Sequence, residues 1–327
     1  MSFSWKGHVC LVTGGSGFGG AHLCALLLEL GAEPTVLDLE VSEARPLALL
    51  GLGPMVRCVR GDARDVGLVR GLLDETRAGT LFHLAAQPLV PRSVAEPYET
   101  LQNNALAAYA ALEAARTAAA PPRFVFASSG AYYGTTSSPE LLREEDAPRD
   151  AENLYAPSKV AGDIAVRCYA RTFGLKAAVC RFMNTYGPAD TNSSRIVPRA
   201  VSSLLSGGSY DFGDRDDGTT RLDYMHVRDM AAAYAAVAER LDEVSGEAFN
   251  FGGGRPMATR ELARLVSRLY DGKEREPVFS GPRRKDTLCK VLDTRKAGTA
   301  LGWRPSIGLE DGLRETIRWY RSTPSAR

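Results

Sequence analysis

The chain has 327 residues, 44% of them hydrophobic and 24% charged, and its 40 basic and 39 acidic residues give a formal net charge of +1. This length suits one large α/β unit or two closely joined lobes. The balanced charge gives no electrostatic reason to expect a nucleic acid or an anionic membrane surface as a partner.

The sequence also carries signals about the compartment. Its N-terminus has neither the pattern of a signal peptide nor an apolar run long enough to span a membrane. The six cysteines are scattered and form no C-x-x-C pair, so they read as free thiols and not as disulfides or zinc ligands. We therefore expect a cytoplasmic protein without a metal site.

The first predicted elements are an apolar strand at 9–12, a glycine-rich turn at 13–20 and a helix at 21–30. Gly14 can take a backbone conformation that a side chain forbids, Gly17 lets the backbone approach phosphates, and Gly20 lets the helix pack close to the strand. The N–H groups and positive dipole end of the helix then face an anion. An ordinary tight βα turn has a similar composition, but the features below favour a dinucleotide site.

A second predicted strand, 36–38, ends in Asp38 about twenty residues after the glycine turn. A carboxylate at that position can accept hydrogen bonds from both ribose hydroxyls of NAD. Leu39 follows with no arginine beside it. This arrangement favours NAD over NADP.

Strands and helices alternate without a break up to about residue 182. The further predicted strands are 55–59, 81–84, 124–126 and 177–182, and the further helices are 66–75, 99–116 and 156–173. Repeated βα units with nearly continuous apolar strands predict an α/β fold, a doubly wound parallel sheet of the Rossmann type with helices on both faces. Ligands of such a sheet gather at the carboxyl ends of its strands.

The regular alternation stops after residue 182. The predicted elements there are a loop at 184–194, helices at 195–205, 230–241, 258–270 and 309–320, and strands at 222–227 and 247–251. We expect residues 1–182, joined by 222–251, to form an NAD-binding lobe. Residues 183–221 and 252–327 are expected to form a smaller α+β lobe that grips the substrate.

Tyr155 and Lys159 are four residues apart at the start of a predicted helix, so they share one face. A lysine ammonium one turn away, together with the positive nicotinamide ring, would lower the pKa of Tyr155 and make it a base for a hydroxyl proton. Ser128 and Ser129 end the predicted strand 124–126, where a hydroxyl can share that proton or merely cap the backbone. By itself the Tyr-x-x-x-Lys spacing is often a solvated helix face, but here it follows a glycine turn and a serine-bearing strand end.

Taken together, the motifs resemble the extended short-chain dehydrogenase/reductases that act on nucleotide sugars. The resemblance is carried by Gly14, Gly17 and Gly20, by 61–62, 83–87 and 128–134, by Tyr155 with Lys159, and by 181–188, 301–305 and 309–313. It implies NAD as the cofactor, a nucleotide-diphosphate sugar as the substrate and a homodimer as the assembly. The helices that would join the homodimer are 99–116 and 156–173, where Ala105, Ala108 and Ala115 permit close approach, although the same alanines could pack against the sheet.

The resemblance also implies roles for individual residues. Contacts to the cofactor are expected from Gly14, Gly17, Phe18, Gly20, Asp38, Asp62, Ala63, Leu84, Ala85, Ala86, Gln87, Asn104, Ser128, Tyr155 and Lys159. Contacts to the substrate are expected from Arg92, Ser129, Tyr155, Asn184, Arg195, Val197, Arg221 and Arg283. Within these sets, Asp38 is expected at the adenosine ribose, Asp62 at the adenine and Asn184 at the sugar diphosphate.

Two subfamilies compete for this chain. Residues 5–7, 83–90 and 92–93 look like those of CDP-glucose 4,6-dehydratases. Dehydratases usually have Asp-Glu or Asp-Lys directly after the active-site Ser or Thr. In this chain the active-site hydroxyl is assigned to Ser129, by counting five residues back from Gly134 of the family's Tyr-Gly motif. Here Gly130 and Ala131 follow, and neither can move a proton. The catalytic centre therefore resembles that of a 4-epimerase and makes Ser129, Tyr155 and Lys159 its catalytic residues.

Alternative functions remain open at this stage. A 4,6-dehydratase could draw its acid and base from Glu144, Glu145 or Asp146. A net reductase would consume NAD(P)H, and a non-catalytic NAD-sensing protein would keep only the dinucleotide site.

A second departure from the family lies before Asp223-Tyr224. Members commonly have an arginine at the position of Leu222, where it binds the diphosphate, whereas here Arg221 lies one residue earlier. A shift of one residue sends a strand side chain to the opposite face. A bulge could return Arg221 to the site, or Arg195, Arg283 or Arg284 could bind the phosphates instead.

Overall fold

The computed structural model describes residues 3–138, 140–214, 216–282 and 288–323. Its larger sheet contains β1 (Val9–Thr13), β2 (Glu33–Asp38), β3 (Arg57–Arg60), β4 (Thr80–His83), β5 (Arg123–Ser129), β6 (Ala177–Phe182) and β9 (Ala248–Phe251). The seven strands are all parallel and have the order β3-β2-β1-β4-β5-β6-β9. The order reverses between β1 and β4, and in open α/β sheets ligands bind at the carboxyl edge beside that reversal.

Helices cover both faces of the sheet. In chain order they are α1 (Phe18–Glu29), α2 (Pro46–Leu49), α3 (Val66–Thr76), α4 (Val90–Ala95), α5 (Pro97–Leu101), α6 (Ala107–Thr117), α7 (Tyr155–Phe173), α8 (Ile196–Ser206), α9 (Val227–Val244), α10 (Thr259–Asp271), α11 (Arg295–Leu301) and α12 (Leu309–Ser322). One apolar core lies between the sheet and α1 and α9, and a second lies between the sheet and α3, α6 and α7. The predicted doubly wound Rossmann fold is thereby confirmed.

The predicted helix 99–116 is not uniform. It consists of α5, a π-helical turn at Gln102–Leu106, and α6. The wider turn of a π-helix is often found at functional sites. Here it holds the buried side chain of Asn104, which contacts two other segments described below.

The smaller sheet is built around β8 (Arg221–His226). Its other strands are β7 (Asn184–Tyr186), β10 (Pro256–Ala258) and β11 (Cys289–Lys290). β7 and β11 pair with β8 in parallel, and β10 pairs with it antiparallel. Side chains from α8, α10 and α12 form a third core with this sheet.

This arrangement differs from the sequence-based expectation, which did not include β10, β11 or α11. The segment 184–194 is not wholly a loop, because its first three residues form β7. Segment 222–251 does not belong to the larger lobe throughout. Its strand β8 lies in the smaller sheet, whereas α9 packs on α1 and β9 extends the larger sheet.

Within the described ranges, no helix combines the length and apolarity that a bilayer crossing requires. The same residues contain no group of three or more His, Cys, Asp or Glu side chains arranged to hold a metal ion.

Candidate active site

The glycine turn joins β1 to α1 at the carboxyl edge of the larger sheet. Gly14 has a φ of +71°, and a Cβ there would lie 2.7 Å from the backbone nitrogen of Ala85. A Cβ on Gly20 would lie 2.4 Å from the carbonyl oxygen of Gly14. Both positions therefore require glycine, and Gly17 and Phe18 open α1 between them. The shape fits a dinucleotide diphosphate held at a helix N-terminus.

Asp38 ends β2 next to this turn. Its Oδ2 accepts hydrogen bonds from the backbone nitrogen of Ser16 at 3.1 Å and from Ser16 Oγ at 2.5 Å. Arg45 Nη2 lies 4.0 Å from the same oxygen. Neither Ser16 nor Arg45 belongs to the glycine spacing, so the sequence pattern did not predict their contacts. Although Leu39 is not followed by an arginine in the sequence, Arg45 from the N-terminal end of α2 lies alongside Asp38, and the contact of this carboxylate with the NAD ribose stays a prediction.

Asp62 follows β3 and is held by a neighbour. Both of its carboxylate oxygens accept hydrogen bonds from Arg64, with Nη2 at 2.6 Å from Oδ2. The hydrogen bonds from Arg64 keep the pKa of Asp62 below its usual value. Ala63 is buried. Asp62 thus stays an anion beside β2, and its predicted contact with adenine stays a prediction.

Residues 84–87 lie against the glycine turn and are fixed from behind. A Cβ added to Gly14 would clash with backbone atoms of Leu84 and Ala85. Ala86 and Gln87 follow in the chain. Gln87 N donates to Asn104 Oδ1 at 2.7 Å, and Asn104 Nδ2 donates to Ser158 Oγ at 2.9 Å. The amide of Asn104 therefore connects this segment to α7, so its structural role is to position the residues around the site.

Ser129, Tyr155 and Lys159 come together at the carboxyl end of β5. Ser129 is the last residue of β5, and Tyr155 is the first of α7. The hydroxyl of Ser129 lies near the phenol of Tyr155 and acts to lower its pKa. One turn later, Lys159 Nζ donates to the carbonyl oxygen of Ala127 at 2.9 Å, which fixes α7 on β5. The structure thus brings together all three residues predicted to be catalytic.

Several groups act on the pKa of Tyr155. Burial raises it, and the nearby Ser129 hydroxyl and the positive charge of Arg195 act in the opposite direction. The lowering of this pKa by Lys159 together with the nicotinamide ring stays a prediction. Burial lowers the pKa of Lys159 itself to about 8.

Gly130 and Ala131 form the first half of a 3-10 turn, Gly130–Tyr133, directly after Ser129. Ser129 Oγ accepts a hydrogen bond from Ala131 N at 3.1 Å, which starts this turn. A Cβ on Gly130 would lie 2.3 Å from Met183 Sδ. The space next to Ser129 is therefore filled by a thioether and leaves no room for a longer side chain in this arrangement.

Several predicted substrate contacts lie around the same cleft. Asn184 is exposed at the start of β7, directly after Met183. Arg195 precedes α8, contacts the ring of Phe18 with its guanidinium carbon 5.6 Å from the centroid, and donates to Asp190 at 3.0 Å. Val197 is buried in the first turn of α8. Arg195 thus connects the glycine turn with the surroundings of Tyr155.

The remaining predicted arginines are placed differently. Arg92 is exposed and donates to Glu96 and Glu99, both at 2.7 Å, so it is occupied by its own helices. Arg221 pairs regularly with Ala258 and Cys289, with no bulge in β8. It therefore lies on the opposite face of the strand from Leu222, and the regular register contradicts the alternative in which a bulge returns Arg221 to the site. Arg283 and Arg284 lie outside the described residues.

Ser128 takes part in a buried polar network behind the site. Its Oγ donates to Asp163 Oδ2 at 3.0 Å, so the hydroxyl faces the interior and not the cleft. Asp163 accepts two hydrogen bonds from Arg181, at 2.8 and 3.0 Å. Arg181 Nη1 also donates to the hydroxyl of Tyr133 at 2.8 Å. The sequence contained one signal for this network, a charged residue within the apolar strand 177–182.

Comparison with known proteins agrees with this geometry. Residues 10–252 match the model of the NAD dependent epimerase/dehydratase family. A UDP-glucose 4-epimerase of Mycolicibacterium smegmatis is 33% identical over 95% of this chain and 98% of its own, and a dTDP-glucose 4,6-dehydratase of Streptomyces niveus is 32% identical over 95% and 92%. A crystal structure of a UDP-glucose 4-epimerase from Thermotoga maritima with UDP-glucose superposes with a TM-score of 0.85 at 29% identity, covering 97% of this chain and 99% of the other.

The relatives named here act on UDP or dTDP sugars by name, so the likeness of the first lobe to CDP-glucose 4,6-dehydratases stays a prediction. From the extent of these matches, the chain belongs to the NAD dependent epimerase/dehydratase family, and its cofactor is NAD.

Proposed function

We propose that the chain is a nucleotide-sugar 4-epimerase that acts through a transient 4-keto sugar. The observation that carries this proposal is the pair Gly130-Ala131 after Ser129, with Met183 packed where a longer side chain would have to lie. Removal of water across C5 and C6 needs an acid and a base in addition to the tyrosine. Neither of these two residues can serve as either.

The chain's own residues can perform the proton transfer of an epimerase. NAD, when bound, supplies the chemistry of accepting a hydride from C4 of the sugar and giving it back. Tyr155 acts as the phenolate, which the positive nicotinamide ring of bound NAD would favour against the effect of burial, and takes the proton of the C4 hydroxyl. Ser129 donates a hydrogen bond to the same oxygen as it becomes a carbonyl. Lys159, held by the carbonyl of Ala127, keeps Tyr155 and the first turn of α7 in register with β5. The proton then returns from Tyr155, so the product keeps every atom of the substrate.

The three residues proposed as acid and base for a dehydratase, Glu144, Glu145 and Asp146, are engaged elsewhere. Glu144 Oε1 accepts a hydrogen bond from the backbone nitrogen of Asn250 in β9 at 2.8 Å. That strand is two positions from β5, a distance of about 10 Å. Asp146 accepts from the backbone nitrogen of Arg143 at 2.9 Å. Glu145 lies near Arg295 at the start of α11 and helps to raise the pKa of that arginine. These contacts support the epimerase over the dehydratase.

The decisive experiment measures the mass of the product. We expect that incubation of the purified protein with UDP-, dTDP- and CDP-glucose yields, from at least one of them, a C4 epimer of unchanged mass, resolved by chromatography and identified by NMR. A product lighter by one water contradicts the proposal and supports a 4,6-dehydratase. Consumption of added NADH with a stable alcohol product would indicate a net reductase. If none of the sugars changes although NAD binds, the NAD-sensing alternative is favoured.

We further propose that the chain forms a homodimer through α6 and α7. Leu106 and Tyr109 near the start of α6 are 54% and 45% exposed, and Ile164 on α7 is 42% exposed. Ala108 and Ala115, by contrast, are fully buried in the core beneath these helices, so they pack against the sheet and not against a partner. Ala105 is only partly buried. An exposed apolar face on two adjacent helices is typical of a subunit contact.

Light scattering during size exclusion tests this assembly. We expect the wild-type protein to have twice the chain mass of 35.2 kDa. The double change Tyr109→Glu with Ile164→Glu should give a monomer, because it places two charges in the contact. Met55→Glu, at an equally exposed apolar residue on the far edge of the larger sheet, should leave the mass unchanged. A wild-type protein of single chain mass would refute the homodimer.

A further inference from the structure

Lys290 is a partly buried lysine with no partner among the residues that the structure describes. It ends β11, and burial is the cause that lowers its pKa to about 8. By contrast, the buried Arg181 is paired with Asp163, and the buried Lys159 donates to the carbonyl oxygen of Ala127. A charged group withdrawn from water without a counter-ion is unfavourable unless a ligand supplies one. Lys290 therefore marks a position that suits an anion.

The register of the smaller sheet fixes the face on which Lys290 lies. Lys290 pairs with Leu222, and Asn184 pairs with Tyr224, two residues further along β8. Paired residues of neighbouring strands point to the same face, and so do residues two apart on one strand. Lys290 and Asn184 therefore lie on one face. Arg221 and its partner Cys289 lie on the opposite face.

The same stretch of chain lies against the catalytic centre. Leu292, two residues after Lys290, packs in a small cluster with Tyr133, and Met183 packs against that cluster. Met183 in turn contacts Gly130, directly after Ser129, and precedes Asn184. The end of β11 thus lies beside the carboxyl end of β6, close to the segment that follows Ser129.

We propose that Lys290 binds the diphosphate of the nucleotide sugar and supplies the positive charge that Arg221 cannot supply from the other face of β8. The assignment rests on the proposed function for the identity of the ligand. A lysine ammonium is a compact charge that can bind a phosphate without a fixed geometry. It can therefore replace the planar guanidinium that family members have at the position of Leu222. Asn184 on the same face can donate a further hydrogen bond.

Binding of nucleoside diphosphates tests the proposal without requiring turnover. The full-length protein with NAD added is titrated calorimetrically with UDP, dTDP, CDP, ADP and GDP, and the nucleotide that binds most tightly is used for the variants. Loss of one charge-assisted contact in Lys290→Met should weaken its binding by about 10- to 100-fold. Lys290→Arg, which keeps the charge, should stay within about threefold of the wild type. Lys176→Met, at an exposed lysine before β6 at the amino edge of the sheet, is the matched control and should bind normally.

The outcomes separate this proposal from the proposed function. A loss of less than threefold in Lys290→Met, an equal loss in Lys290→Arg, or a wild-type protein that binds none of the five nucleotides overturns the role of Lys290. Thermal melting without nucleotide supplies a second readout. Removal of an unpaired, partly buried charge should leave the melting temperature of Lys290→Met unchanged or raise it, whereas a purely structural role would lower it. If the binding result holds while no sugar is epimerised, only the proposed reaction fails.

Discussion

Replacement of Tyr155 by phenylalanine is expected to lower kcat for sugar epimerisation by about two to four orders of magnitude. The change removes one oxygen atom, the group that we propose takes the proton from the C4 hydroxyl, and leaves the ring in place. Tyr155 is the first residue of α7, and the hydroxyl of Ser129 acts to lower its pKa. The rate of product formation under saturating substrate, followed by chromatography, measures the effect.

The same helix provides a control for the loss of a phenolic hydroxyl. Tyr169 lies on α7 more than three turns after Tyr155, and its hydroxyl donates to Glu113 at 3.4 Å, away from the cleft. Tyr169→Phe should retain full kcat. NAD affinity should stay close to that of the wild type in both variants, because neither hydroxyl contacts the glycine turn. Tyr155→Phe with normal kcat would show that another group removes the proton.

The features that the sequence predicted well are those encoded by local patterns. The glycine turn, the acidic end of β2 and the Tyr-x-x-x-Lys pair each lie within one βα unit, so spacing alone places them at the carboxyl edge of a parallel sheet. Their mutual contact follows from that topology. The structure accordingly places Ser129, Tyr155 and Lys159 together, although the charge acting on Tyr155 comes from Arg195, forty residues further along the chain.

The features that the sequence did not predict depend on pairing between distant segments. β7, β10 and β11 are two or three residues long and carry no periodic signal of their own. Their existence follows from hydrogen bonds to β8. The face on which Arg221 and Lys290 lie is likewise a property of strand register, and register is not visible in spacing along one chain. A reading of the sequence could therefore note that Arg221 was displaced without being able to say which cation faces the cleft.

The buried polar network of the larger lobe likewise depends on contacts between segments that are distant in the sequence. Arg181 is fully buried between Asp163, two turns after Tyr155 on α7, and the ring of Tyr132, whose centroid lies 3.5 Å from the guanidinium carbon. Asp163 also accepts from Ser128, the residue before Ser129. The ion pair therefore joins β6, α7 and the end of β5 directly behind the catalytic residues. It fixes the distance between the helix that carries Tyr155 and the strand that carries Ser129.

Arg181→Met should accordingly lower the free energy of unfolding by about 3 kcal/mol, because the buried Asp163 carboxylate loses both hydrogen bonds from Arg181 and keeps only Arg167, whose Nε lies 3.3 Å from Oδ1. Chemical denaturation monitored by circular dichroism measures the loss. The double variant Arg181→Met with Asp163→Leu should recover most of that stability, since both charges are then absent. Arg240→Met, which breaks an exposed ion pair with Glu243 on α9, is the control and should unfold like the wild type. Equal stability of Arg181→Met and the wild type would mean that water or a rearranged side chain satisfies Asp163. The position of Tyr155 relative to Ser129 would then not depend on this network.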